Sequence, residues 1–245
     1  MAGGYKYFEA VEKNAALLGI LTFVAVTFGG LAEITPLFMQ AHAVSPPPGV
    51  KPYDALRLAG KDIYVREGCY LCHSQMIRAL RAEAQRYGPP STAAESVYDR
   101  PFQWGSKRTG PDLARVGGKY SDDWHRDHLR SPKAVVPGSI MPSYHWLEST
   151  ELDNTHIDDD LRVQAALGVP YTAEMIAAAG ADLRTQATTD AADADNLVKR
   201  YPKAQVRDFD GNPQRVTEAD ALIAYLQMLG TQVDFKLYDN KANIR

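Results

Sequence analysis

From Ala15 to Ala32 the chain carries no charged residue, and apolar character resumes after Glu33 through Ile34, Leu37, Phe38 and Met39. About 20 apolar residues cross a bilayer core, and about 27 helical residues extend roughly 40 Å. The pattern predicts a tilted membrane-spanning helix over Asn14–Gln40, with residues 1–44 as tail and transmembrane anchor. Ala41-His42-Ala43 resembles a signal-peptidase site. The apolar run is longer than the roughly 7–15 residues of a signal-peptide core, so an uncleaved anchor is expected.

Beyond the anchor, Ser45-Pro46-Pro47-Pro48-Gly49 opens a stiff, extended linker over residues 45–52. Helical spacing follows. Tyr53–Glu67 places Leu56, Ile63 and Tyr64 on one side, with small Ala59 and Gly60 nearby. Ser121–Arg130 opens on Ser121-Asp122-Asp123, good helix-start residues, and Pro132 and Pro137-Gly138 end it. Thr217–Leu229 carries a stripe of Ala221, Leu222, Tyr225 and Leu229. Gly88-Pro89-Pro90-Ser91-Thr92 reads as a loop. No alternating strand pattern appears, so residues 53–245 are expected to form an all-α domain.

Charge is unevenly spread. Residues 61–145 carry 13 basic against 9 acidic side chains, and residues 148–220 carry 7 against 15. The stretch 148–215 therefore reads as an acidic helical insertion. It is either a solvated appendage or a surface that steers a basic redox partner or rests on a neighbouring subunit. With a net charge of −3, no nucleic-acid partner is expected. Inside the anchor, Glu33 either marks the outer end of the hydrocarbon region or faces a larger membrane partner. Gly29-Gly30 would permit close helix approach there, and Pro36 would free the Ala32 carbonyl.

The chemistry concentrates in Cys69-Tyr70-Leu71-Cys72-His73. This C-x-x-C-H spacing is that of c-type haem attachment: two thiols add to the haem vinyl groups and the imidazole ligates iron. A redox dithiol has no use for the adjacent His, and a structural zinc site needs four ligands. These are the only two cysteines. One covalent haem c is expected, held by Cys69 and Cys72 with His73 on iron. Bacterial haem attachment takes place outside the cytoplasmic membrane. Lys6 and Lys13 precede the span, and no Lys or Arg follows until Lys51. Both features put the amino end in the cytoplasm and the haem domain in the periplasm.

Met141 is the candidate for the sixth iron ligand. Met76 lies three residues past His73, is read as part of the same helix, and so is on the wrong side. Met1, Met39, Met175 and Met228 belong to other segments. Met141 sits in a prolyl loop, Pro137-Gly138-Ser139-Ile140-Met141-Pro142. His145 is the runner-up. His125 and His128 are read as exposed surface, and His42 and His156 have no neighbours that suggest a metal. In Gly110-Pro111-Asp112-Leu113 the Pro111 carbonyl is the candidate acceptor for the other N–H of His73. Arg78, Arg81, Lys107, Arg108 and Lys119 are candidates for pairing with the haem propionates.

The order of helix, C-x-x-C-H, G-P-x-L, helix, Met-Pro loop and final helix ending Ala224-Tyr225-Leu226-Gln227-Met228-Leu229-Gly230 resembles class I cytochromes c. Three longer segments sharpen the likeness: Gly29–Phe38 in the anchor, Glu67–Arg78 around the cysteines, and Trp104–Tyr120. With the Met141 loop they resemble the membrane-anchored monohaem subunit (subunit II) of cbb3-type cytochrome c oxidase. That resemblance implies a haem–copper, proton-pumping oxidase. Its core subunit carries a haem b and a haem–copper centre that reduces oxygen to water. A dihaem cytochrome c subunit delivers electrons, a small single-helix subunit completes the complex, and the monohaem subunit relays electrons without an active site of its own. The resemblance also implies that the loop containing Ser106 lies near the core haems and a structural calcium. The dicopper site of other oxidase subunits II is missing here, since its two cysteines stand farther apart. The competing readings are a free-standing tethered cytochrome that shuttles electrons, and a haem enzyme or gas sensor with an open iron position.

Overall fold

The computed structural model describes residues 3–39, 45–105, 107–189 and 192–235. The chain forms two compact units, divided between Ser45 and Pro46.

In the first unit, α1 (Gly3–Glu12) shows that the tail is helical. Asn14 ends the break that follows: its Oδ1 accepts from Leu17 N at 3.1 Å and caps α2 (Ala15–Met39). At 25 residues α2 is about 37 Å long, and its Ala15–Pro36 stretch is long and apolar enough to cross a membrane. Pro36 is accommodated inside the helix. Glu33 is exposed, and a Cβ added at Gly29 or Gly30 would meet no neighbour. Gln40 and Ala41-His42-Ala43 lie outside the described residues.

The second unit carries α3 (Ala55–Arg66), α4 (Arg81–Tyr87), α5 (Asp122–Arg130), α6 (Pro132–Val135), α7 (Ile157–Ala166), α8 (Ala173–Gln186), α9 (Ala194–Arg200) and α10 (Glu218–Met228). No strand occurs among the described residues; one isolated bridge joins Glu151 and Thr217. The three helices expected in this unit are present, each starting or ending within two residues of its predicted bounds. Asp54 caps α3 by accepting from Arg57 N at 2.9 Å. Thr217 and Asp220 form a reciprocal capping box at α10. α5 ends at Arg130, just ahead of Pro132, as expected. Pro132 itself sits in the first turn of α6, where a missing N–H leaves nothing unsatisfied.

The core is built on the crossing of α3 and α10. Every residue of α10 is buried. The contact is tight at Gly60, where an added Cβ would fall 1.9 Å from Ala221 O. Leu56, Leu222 and Ile223 are fully enclosed, each contributing about 1.5–3 kcal/mol. The rings of Tyr53 and Tyr64 meet Tyr225 at 6.1 and 5.5 Å between centroids.

The acidic stretch is helical, as expected, but only its outer side is solvated. Ile157, Leu161, Ala179, Leu183 and Ala187 join the same core. Tyr171 Oη donates to Tyr53 O (2.7 Å) and Arg57 Nη2 donates to Lys203 O (2.7 Å), which ties the insertion to the start of α3. Asp159, Asp160 and Glu174 stay exposed. Within residues 45–52, Val50 is buried and Lys51 N donates to Gln232 Oε1 at 2.9 Å.

Candidate functional site

α3 delivers the chain to the cysteines. Gly68, at φ +71°, turns it out of the helix, a conformation side chains other than Gly rarely accept. Cys69–Leu71 then form a single 3₁₀ turn. Both thiols are free, Cys69 half-buried and Cys72 exposed. Burial, then the Glu67 carboxylate, pushes the Cys69 thiol up to about 12.

After Cys72 the chain is no longer helical. Met76 is therefore not on a helix with His73, contrary to expectation. It is held on the imidazole side instead, its N–H donating to Asp112 Oδ2 at 3.0 Å. Residues 72–74 are laced to the Gly110–Leu113 loop: Gly110 N donates to Cys72 O (2.9 Å) and Leu113 N to Ser74 O (2.8 Å). Between these rungs, His73 Nδ1 lies 2.8 Å from Pro111 O. A carbonyl only accepts, so Nδ1 carries the proton and Nε2 keeps its lone pair free for a metal. Burial holds this imidazole below its ordinary pKa, favouring the neutral ligand form. Gly110 is the bed of the ring: an added Cβ would fall 2.3 Å from His73 Cε1.

A buried brace supports the loop. Ser74 Oγ donates to Asp112 Oδ2 (2.6 Å) and accepts from Arg108 Nε (2.6 Å). Arg108 also donates to Met76 O at 3.0 Å and pairs with Glu83 at 2.7 Å, pulling the Glu83 carboxyl down to about 2. Arg78 pairs with the same Glu83. Arg108 and Arg78 thus converge on Glu83. Arg81, Lys107 and Lys119 are exposed. Ser106 lies outside the described residues, although its neighbour Gly105 packs against the main chain of Tyr70, His73 and Ser74.

Met141 is half-buried against the same core cluster as Cys69, Tyr70, Leu113 and Tyr144. Its loop is anchored to α5, with Tyr144 N donating to Leu129 O (2.8 Å) and Ser143 Oγ to Arg130 O (2.5 Å). His145 is exposed, 3.3 Å from Ser143 Oγ.

The reading of His125 and His128 as surface is corrected. His125 is 4 % exposed and, one turn from Leu129, belongs to the inner face of α5. Burial pushes its imidazole down to about 4. His128 is half-buried, stacked on Trp124 at 4.6 Å, and close enough to His73 to be held down by it after burial. The many charged residues of α5 hid this face from sequence reading. Two further features escaped it. The bed at Gly110 was visible only as part of Gly-Pro-Asp-Leu. The carboxylates of Asp208, Asp210 and Asp220 offer oxygens within 4.8 Å of one another. Asp220 Oδ1 there accepts from Phe209 N (3.1 Å) and Asp210 N (3.0 Å).

Two thiols with an adjacent, correctly polarised imidazole, a glycine bed and a thioether on the same cluster fit a c-type haem. Comparison with known families agrees. Residues 8–233 match the family described as cytochrome c oxidase, mono-heme subunit/FixO. The chain belongs to that family, the one its sequence resembles. No curated protein matches it.

Proposed function

We propose that this mono-haem oxidase subunit relays electrons, one at a time, from a dihaem cytochrome c subunit to a haem–copper core that reduces oxygen to water. The haem, when bound, supplies a one-electron iron couple. The chain does the rest. Cys69 and Cys72 anchor the group by thioether bonds. Pro111 O fixes the tautomer and plane of His73, and Gly110 leaves the ring its place. Met141 would hold the group through its thioether, and a site closed in this way would pass electrons rather than bind substrate. The anchor α2 holds the domain on the outer face of the cytoplasmic membrane with the amino end inside. Glu33, Gly29 and Gly30 face the core within the bilayer, and the loop containing Ser106 lies near a calcium at the core interface. The bond from His73 Nδ1 to Pro111 O carries the reading, because it presents Nε2 beside two free thiols.

The test is solubilisation in mild detergent followed by mixing of the reduced preparation with oxygen. The chain is expected to co-purify with haem b and to show c-type haem oxidising before turnover ends. A lone 27.0 kDa particle whose c-type haem ignores oxygen would favour a free tethered shuttle instead.

A further inference from the structure

We infer that the buried pair Lys61–Asp99 is a proton-binding site coupled to the oxidation state of the haem and reached from solvent through the polar cavity beside it. The inference rests on the haem reading above. Lys61 projects from α3, and Asp99 follows the 3₁₀ turn Ala93–Ser96. Their side chains pair at 3 % and 4 % exposure. A pair this deep is no better for stability than well-packed apolar residues of the same size, so stability alone does not account for it.

Asp99 forms part of the wall of a cavity of about 50 Å³, with buried Tyr53, half-buried Gln75 and Glu95, and exposed Lys51. One water needs about 10–15 Å³, so the cavity has room for a few, and its lining runs from the surface to the carboxylate. Gln75, from the segment that bears the candidate iron ligand, also lines the cavity. Gln75 stands two residues after His73 and accepts from Tyr225 Oη at 3.1 Å, while Tyr64 Oη reaches His73 O at 3.4 Å.

The groups around the pair leave Asp99 as the site of exchange. Tyr53, Tyr64 and Tyr225 are kept neutral, their hydroxyls lifted by burial. Glu95 is closed by Arg115 at 2.8 Å. Asp62 on α3 feels Lys61, and is itself raised by burial and by Asp160 on α7. Burial lifts the Asp99 carboxyl and Lys61 opposes it. Oxidising the iron adds a positive charge and disfavours a proton nearby. On reduction one electron arrives from the donor, and one proton passes from bulk water to the Asp99 carboxylate. On oxidation the electron leaves for the acceptor and the proton returns to water.

The experiment is a pH titration of the haem c midpoint potential in the intact, haem-loaded oxidase. Wild type, Asp99→Asn and the double variant Lys61→Met/Asp99→Leu are compared. The wild-type potential is expected to fall as pH rises, and both variants to lose that slope. A pH-independent wild-type potential, or a slope unchanged in the variants, overturns the inference. A preparation without c-type haem would instead sink the functional reading, a distinct result. Should neither variant assemble, infrared difference spectra of wild type with isotope-labelled aspartate decide. A carboxylic-acid band gained on reduction supports the site, and its absence overturns it.

Discussion

On the imidazole side of the site, main chain meets main chain. Gly110 N and Leu113 N pair with Cys72 O and Ser74 O, Pro111 O takes the ring proton, and buried Ser74–Asp112 lies beneath. On the side of the candidate thioether, half-buried Met141 rides a largely exposed loop tied to α5 only at its far end, its own N–H donating to Ser139 Oγ at 3.2 Å. An imidazole must be placed, turned in plane and fixed in one tautomer. A thioether on a flexible, unbranched side chain has only to reach. The two sides are stiff in proportion to what each ligand demands.

The sharpest way to break this contrast is Gly110→Ala. Its methyl would lie 2.3 Å from His73 Cε1, and the ring cannot yield without leaving Pro111. Overpacking of this severity costs about 3 kcal/mol or more. Haem-stained signal per unit of chain should drop at least about tenfold. Normal loading would show that the imidazole side is not stiff.

Next is acid. His125 is buried on α5, the helix to which the Met141 loop is tied, with its imidazole near 4. An unfolded histidine titrates near about 6.5, so the unfolded chain binds the extra proton first. The stabilisation is complete above that pH and is lost as pH falls towards 4. Urea unfolding should show a loss of about 3 kcal/mol between about pH 7 and pH 4. His125→Leu should remove most of that dependence.

Met141→Ala should cost about 2 kcal/mol and leave the haem attached while abolishing the low-spin His/Met spectrum. Met141→His should keep a low-spin haem and lower its potential. An unchanged spectrum in Met141→Ala would assign the second ligand elsewhere. The smallest effect belongs to Ser139→Ala, which deletes one hydrogen bond to the loop. It should cost about 0.5–1 kcal/mol in thermal unfolding with no spectral change.

The parts legible in the sequence are those fixed by covalent spacing or helical period. Cys69, Cys72 and His73 declare themselves by interval, and α2, α3, α5 and α10 by apolar rhythm and capping residues. Pro111 was readable because an iron-bound imidazole needs an acceptor and a prolyl loop supplies one. What stayed hidden depends on which side of an element faces inward. α4, Arg-Ala-Glu-Ala-Gln-Arg-Tyr, has no apolar stripe to mark it. His125 hides among charged neighbours. The pairing of Arg78 and Arg108 with Glu83 is also invisible in the sequence, since it depends on how α4 folds back. The acidic segment looked solvated because Leu161 and Leu183 are few, though both are fully buried.

Intact-mass spectrometry of the denatured full-length chain, after acid–acetone extraction, tests the central claim most directly. The bare polypeptide weighs 27.0 kDa. The account predicts that mass plus one haem, retained through extraction and lost in a Cys69→Ala/Cys72→Ala variant. A bare mass with all pigment in the solvent would contradict it.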